Sequence, residues 1–199
     1  MKSLFNYIIR TDNRYNNKID VDGKELVVNT EITERDAIFV NRIGTIVATP
    51  ISLGDRALPI ESEVIVHHNV FRRMVNMSGK EVNSTNHLED NLYLVYEDQI
   101  FGYKENGEWE ACKGYCFVRP RENEDTWING DESILCGEIV FADQSLKGQG
   151  VERGDVVGFT PHSEYEFTID GEKLYRILSN QININYGHKE NATKETRSS

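Results

Sequence analysis

The chain has 199 residues, room for one large domain or for two of about 100 residues each. Hydrophobic residues make up 38% and charged residues 28%, a balance that suits a soluble fold with modest cores, and no apolar run approaches the roughly 18 residues of a membrane-crossing helix. The net charge of −11 disfavours binding to nucleic acid or to an anionic membrane, because dense basic character is confined to Arg72-Arg73 and to dilute residues of the tail.

The first ten residues, MKSLFNYIIR, carry one short apolar patch and no small-residue cleavage site. They read as an opening strand and not as a signal peptide, which makes the cytoplasm the expected location. A long connection follows at about 11–42, rich in Asp12, Asn13, Asn16, Asn17, Asp20, Asp22 and Gly23, a composition that favours a mobile loop. Its apolar centre is Leu26-Val27-Val28, which would also suit a strand over Glu25 to Asn29. Arg35 to Phe39 could form one turn of helix, but Val40, Asn41 and Arg42 after it favour strand or loop.

Strand patterns then recur at Gly44 to Pro50 (GTIVATP), Glu63 to Val66 (EVIV) and Leu92 to Ile100 (LYLVYEDQI), with a second long polar connection at about 72–90. From near residue 111 the series repeats. Tyr115 to Arg119 echoes Tyr7 to Arg10, and Gly137 to Asp143 (GEIVFAD) echoes Gly44 to Pro50. Asp155 to Gly158 echoes Glu63 to Val66, and Leu174 to Ile182 (LYRILSNQI) echoes Leu92 to Ile100. The offset falls from about 108 to about 82 along the chain, as shorter loops in a second copy would produce. The runs after Gly44 and Gly137 are continuous enough to be buried on both faces. The expected fold is all-β: two tandem small barrels or sandwiches. The tail after Tyr186 is polar, without periodicity, and expected to be disordered.

Taken in order, these motifs resemble the GroES co-chaperonin family. The second copy carries the strand Gly137 to Ala142, then Val151 to Phe159 (VERGDVVGF), then Glu172 to Ile182; the first is similar but looser. Doubled forms of the family occur in plastids and diverged ones in some bacteriophages. The resemblance implies two GroES-like β-barrel domains, at 1–110 with the mobile loop and at 111–186, and a tail at 187–199. It implies a cytoplasmic ring of subunits that caps a GroEL-type chaperonin ring and assists protein folding driven by ATP, which the partner binds. The contact in that family is an apolar tripeptide on the mobile loop, here Leu26, Val27 and Val28. In the family Gly stands directly before the tripeptide, whereas here Lys24 and Glu25 intervene after Gly23. The second copy's connection, about 121–136, is short, with Ile134-Leu135 against the next strand and Trp127-Ile128 as the other contact to consider. The alternative reading is a structural or assembly protein, of viral type, that keeps the barrel without binding a chaperonin.

Other chemistry is not expected. Cys112, Cys116 and Cys136 are odd in number and lack zinc spacing, so they read as reduced thiols. Asp20 to Gly23 resembles part of a calcium loop, but Lys18 and Asn29 stand where ligands are needed. His67 and His68 are adjacent, and on a strand they would point to opposite faces. Three N-x-S/T triplets, beginning at Asn76, Asn83 and Asn191, carry no weight without a secretion signal. There is no G-x-G-x-x-G, P-loop or G-x-S-x-G, and no room for the nucleotide-binding domain of the zinc-dependent alcohol dehydrogenases that share GroES-like barrels. Neither an enzyme nor a cofactor is expected.

Overall fold

The computed structural model describes residues 2–15, 18–21, 24–27, 40–121 and 135–188, and for 18–21, 25–27 and 135 the backbone alone. The structure is predominantly strand, and the chain divides into two compact units, Met1–Gly107 and Glu108–Ser199. The division falls at Asn106 and Gly107, both with positive φ, the pairing that a tight type I′ reversal demands.

In the first unit the strands are β1 (Tyr7–Arg10), β2 (Lys18–Val21), β3 (Lys24–Val27), β4 (Ile43–Ala48), β5 (Glu63–Val66), β6 (Met74–Val75), β7 (Glu81–Val82), β8 (His87–Glu89), β9 (Leu92–Val95) and β10 (Ile100–Glu105). The second has β11 (Glu108–Ala111), β12 (Tyr115–Pro120), β13 (Leu135–Ala142), a single turn of helix α1 (Gln144–Gly148), β14 (Asp155–Phe159), β15 (Tyr165–Ile169), β16 (Glu172–Leu178) and β17 (Ile182–His188). The helix, which the apolar pattern does not announce, starts where Asp143 Oδ1 accepts the Leu146 N–H at 3.0 Å, and it buries Leu146.

The two units repeat one sheet. Strands run β10-β5-β4-β1-β9-β8 in the first and β17-β14-β13-β12-β16-β15 in the second, every neighbour antiparallel. Each strand of the first list corresponds to its counterpart in the second, and so does the register in every ladder but the outermost, β9–β8 against β16–β15. Ile9 faces Ile46 and Tyr93; Val118 faces Ile139 and Tyr175. Gly44 faces Val64, as Gly137 faces Val157. Ile100 faces Val66, as Ile182 faces Phe159. A bulge breaks the first ladder between Ile8 and Ile9, and its counterpart falls between Phe117 and Val118. This pairing moves one sequence match by a residue: Val64 corresponds to Val157 and not to Val156. The runs EVIV and DVVG align equally well by composition, and only the partner strand decides between the two registers.

Burial follows the pairing. The central strands β1 and β12 are covered on both faces, with Tyr7, Ile8 and Ile9 buried in one and Cys116, Phe117 and Val118 in the other. In the second unit Cys116 and Val118 pack with Ile139, Val157, Phe159 and Ile177, while Phe117 stacks on Phe141 at 4.5 Å and meets Phe167 edge-on at 5.6 Å. The strands β4 and β13, expected to be buried on both faces, are not: Ile46 and Ile139 are buried, whereas Val47 and Val140 are half-buried.

The sheets stay open. Among the described residues β8 pairs only with β9, and the second sheet ends at β15 and β17, each with one neighbour, so no ladder closes the expected barrels. With three residues and an irregular register, β8 offers too short an edge for closure. The last strand also runs further than the polar tail suggests: Gly187 and His188 pair with Val156 and Asp155. Residues 189–199 lie outside the described residues.

Candidate functional site

The units differ in what they carry on the shared sheet. Between paired strands β1 and β4 the first unit inserts 11–42, and between β5 and β8 it inserts 67–86. The matching connections of the second unit are 121–134 and 160–164. Both long excursions therefore belong to one unit.

Their bases are built together. Asn41 closes the neck of the first excursion: its side-chain amide donates toward Thr11 Oγ1 (2.9 Å) and the carbonyls of Asn13 (2.7 Å) and Ile43 (3.0 Å), and its Oδ1 accepts the Ile43 N–H. The Asn41 N–H donates to the Arg14 carbonyl at 2.9 Å, and the Tyr15–Val40 bridge, both residues buried, completes the neck. From there the contacts pass to the second excursion. Arg14 donates through Nε to the Phe71 carbonyl (3.1 Å) and through Nη1 to Asn83 Oδ1 (2.9 Å). The Tyr15 hydroxyl accepts the Arg73 N–H at 2.8 Å, and the Arg73 guanidinium lies 4.6 Å from the centre of the Tyr15 ring while pairing with Glu81 at 2.7 Å. Ser84 and Asn86, buried polar residues of the supposed loop, are satisfied by the Val70 carbonyl and by Leu94 and Gln99.

Each excursion carries a hairpin. Leu26 and Val27 lie in β3, paired with β2 so that Leu26 faces Ile19 and Val27 faces Lys18. Val28 lies outside the described residues, as do Trp127, Ile128 and Ile134; Leu135 opens β13 opposite Phe159. The second hairpin, β6–β7, exposes Met74, Val75, Met77 and Val82. Its turn is held by Asn76, whose Oδ1 accepts the N–H groups of Ser78 (3.0 Å) and Lys80 (2.9 Å), and Gly79 sits at φ 75°, where a side chain would be strained.

The chain matches no protein-family model and no curated protein sequence. The assignment of the site therefore rests on geometry.

His67 and His68 flank the same base. They do not point to opposite faces: the strand ends at Val66, a 3-10 turn begins at His68, and the two rings stack 4.3 Å apart. Burial, and then the neighbouring His67, Arg42 and Arg72, lower His68 to about 4. A neutral ring surrounded by cations is a poor centre for a metal ion, and no cluster of three metal-binding side chains occurs among the described residues. The thiol of Cys116 is pushed up to about 12 by burial first and by Asp143 second, so it stays protonated. What this region offers is apolar surface on a fixed frame, which is chemistry suited to recognition.

Proposed function

We propose that the protein is a co-chaperonin-like cap, built of two GroES-like units, that engages a GroEL-type chaperonin ring through the 11–42 excursion of its first unit. The observation that carries this reading is the latched neck. Strands β1 and β4 pair directly, so the excursion leaves and re-enters the sheet at adjacent positions held by Asn41 and Tyr15. On this reading, Leu26-Val27-Val28 is the apolar segment that the latched excursion offers to the partner. In a ring of identical subunits weak contacts of this kind add through avidity. The repeated sheet supports the two-unit reading, with Gly44 and Gly137 at equivalent close approaches to β1 and β12. The partner supplies the ATPase, the cytoplasm is the setting, and neither nucleic acid nor membrane is a partner.

The test mixes the protein with a GroEL-type ring, with and without ATP, and follows co-migration by size-exclusion chromatography. The expected result is an ATP-dependent complex that is lost when Leu26, Val27 and Val28 are all replaced by Ser. If no complex forms, or if the triple variant binds as well as the parent, the reading fails. The second unit, which carries only the shorter connections 121–134 and 160–164, favours an alternative: an assembly or structural protein that keeps the fold without the chaperonin. Recovery of the native protein in a particle free of chaperonin would support that alternative.

A further inference from the structure

The second unit carries a cleft of its own. β11 runs beside the end of β13, yet among the described residues no ladder joins the two strands, and a cavity of about 200 Å³ opens between them. Its floor is apolar: Ile139, Phe141, Ala142 and Val151 line it, and all four are buried. Trp109 forms one wall. Its indole is fixed twice over, stacked on Phe141 with ring centres 6.5 Å apart and donating through Nε1 to Asp170 Oδ2 at 2.9 Å. A wall held in this way loses little freedom when a ligand lies against it.

Four charged side chains stand at the same cleft, and they are of two kinds. Lys147 and Glu110 pair at 2.5 Å, and each answers the other's charge. Glu108 and Arg153 are exposed, and among the described residues neither enters an ion pair, even with the other. One cleft thus offers an apolar floor, an aromatic wall, and one negative and one positive group held apart.

We infer that this cleft binds a free α-amino acid with an apolar side chain. The side chain lies against Trp109 over the apolar floor, the carboxylate faces Arg153, and the ammonium faces Glu108. A ligand with one charge alone fits less well: a plain carboxylate is repelled by Glu108, and a plain amine by Arg153. Volume sets the size. About 200 Å³, against the roughly 300–1,000 Å³ of sites for drug-sized ligands, leaves room for one small molecule and not for a nucleotide or a length of chain. The inference stands apart from chaperonin binding, because every residue of the cleft belongs to the unit with the shorter connections.

Fluorescence tests it with the full chain. Trp127→Phe leaves Trp109 as the one tryptophan, so the emission reports on the cleft. Titration with L-phenylalanine should shift that emission and saturate. Phenethylamine, which lacks the carboxylate, and hydrocinnamate, which lacks the ammonium, should each bind at least about tenfold more weakly. Arg153→Gln should abolish the advantage of phenylalanine over phenethylamine and keep its advantage over hydrocinnamate; Glu108→Gln should do the reverse. Both positions are exposed, so circular dichroism should match the parent. The absence of a saturable change with phenylalanine overturns the inference. So does an amine or an acid that binds as tightly as the amino acid, or an Arg153→Gln protein that discriminates as the parent does.

Discussion

Replacing Gly137 with alanine probes the repeated sheet at its tightest point. A Cβ at Gly137 would lie 2.9 Å from the Arg119 carbonyl oxygen, 2.9 Å from Val118 Cγ2 and 3.0 Å from Val118 Cβ. None of these neighbours is the free end of a flexible side chain. Relief requires β12 and β13 to separate where Pro120 faces Gly137 and Arg119 faces Glu138. Overpacking of this kind costs about 1–3 kcal/mol. Removing a glycine's freedom in the unfolded chain returns roughly 0.5–1 kcal/mol, leaving a net loss of about 1–2 kcal/mol. For a unit the size of 108–199 that lowers the melting temperature by roughly 5–15 °C. Gly44→Ala is the internal control. Its Cβ would meet the Arg10 oxygen at 3.0 Å, but its other neighbours, Ile9 Cδ1 and Phe71 Cζ at 3.1 Å, are side-chain ends that can yield, so its loss should be smaller. Differential scanning calorimetry of the two variants and the parent reads both effects. A Gly137→Ala protein that melts with the parent, or a Gly44→Ala protein that melts lower than it, would refute the claim that the close approach in the second unit is the more rigid one.

Two further outcomes follow from burial. Alkylation of the native protein at pH 8, read by peptide mass mapping, should label the half-buried Cys112 and Cys136 and spare Cys116 until denaturant is added. Cys136 should react slowly, since burial raises its thiol, and rapid native labelling of Cys116 would contradict the packing of β12. For His68, lowered to about 4 in the folded protein from an ordinary 6.5, the unfolded chain takes up a proton between those values that the folded chain refuses. Stability present above pH 6.5 should therefore fall as the pH drops towards 4, and His68→Gln should flatten that part of the curve. Parallel pH profiles of denaturant midpoints for parent and variant would exclude His68 as a source of the dependence.

The repeated sheet was legible in the amino-acid sequence because strand identity is local. Runs such as Leu92 to Val95 and Leu174 to Ile177 declare themselves by composition, and four matches in one order imply a shared topology. Register was not legible, because it depends on partners: EVIV can slide by one residue against DVVG until Gly44 and Gly137 are seen opposite Val64 and Val157. The candidate site was legible in part. The composition of 11–42 marks an excursion and an apolar segment within it, but nothing local in 72–90 announces a hairpin whose foot is held from Arg14 and Tyr15, more than fifty positions earlier. The stacked histidines were missed for a similar reason. Alternation of faces holds only on a strand, and the chain turns directly after Val66.

The coupling of the two excursions bears on what the duplication is for. The register matches in the four ladders from β10 to β9 and a bulge recurs in both units, so the larger differences between the units sit in their connections. Insertions that served only as spacers could fall in any of those connections and need not touch. Here both fall in one unit, and buried Tyr15 together with Arg14 ties the neck of one to the foot of the other. An aromatic ring shared in this way makes each excursion part of the other's support: loosening 11–42 at Tyr15 also releases Arg73 from the base of β6–β7. Among the described residues, the first unit therefore carries one shared base for both excursions, and the second supplies a copy of the frame without such a base.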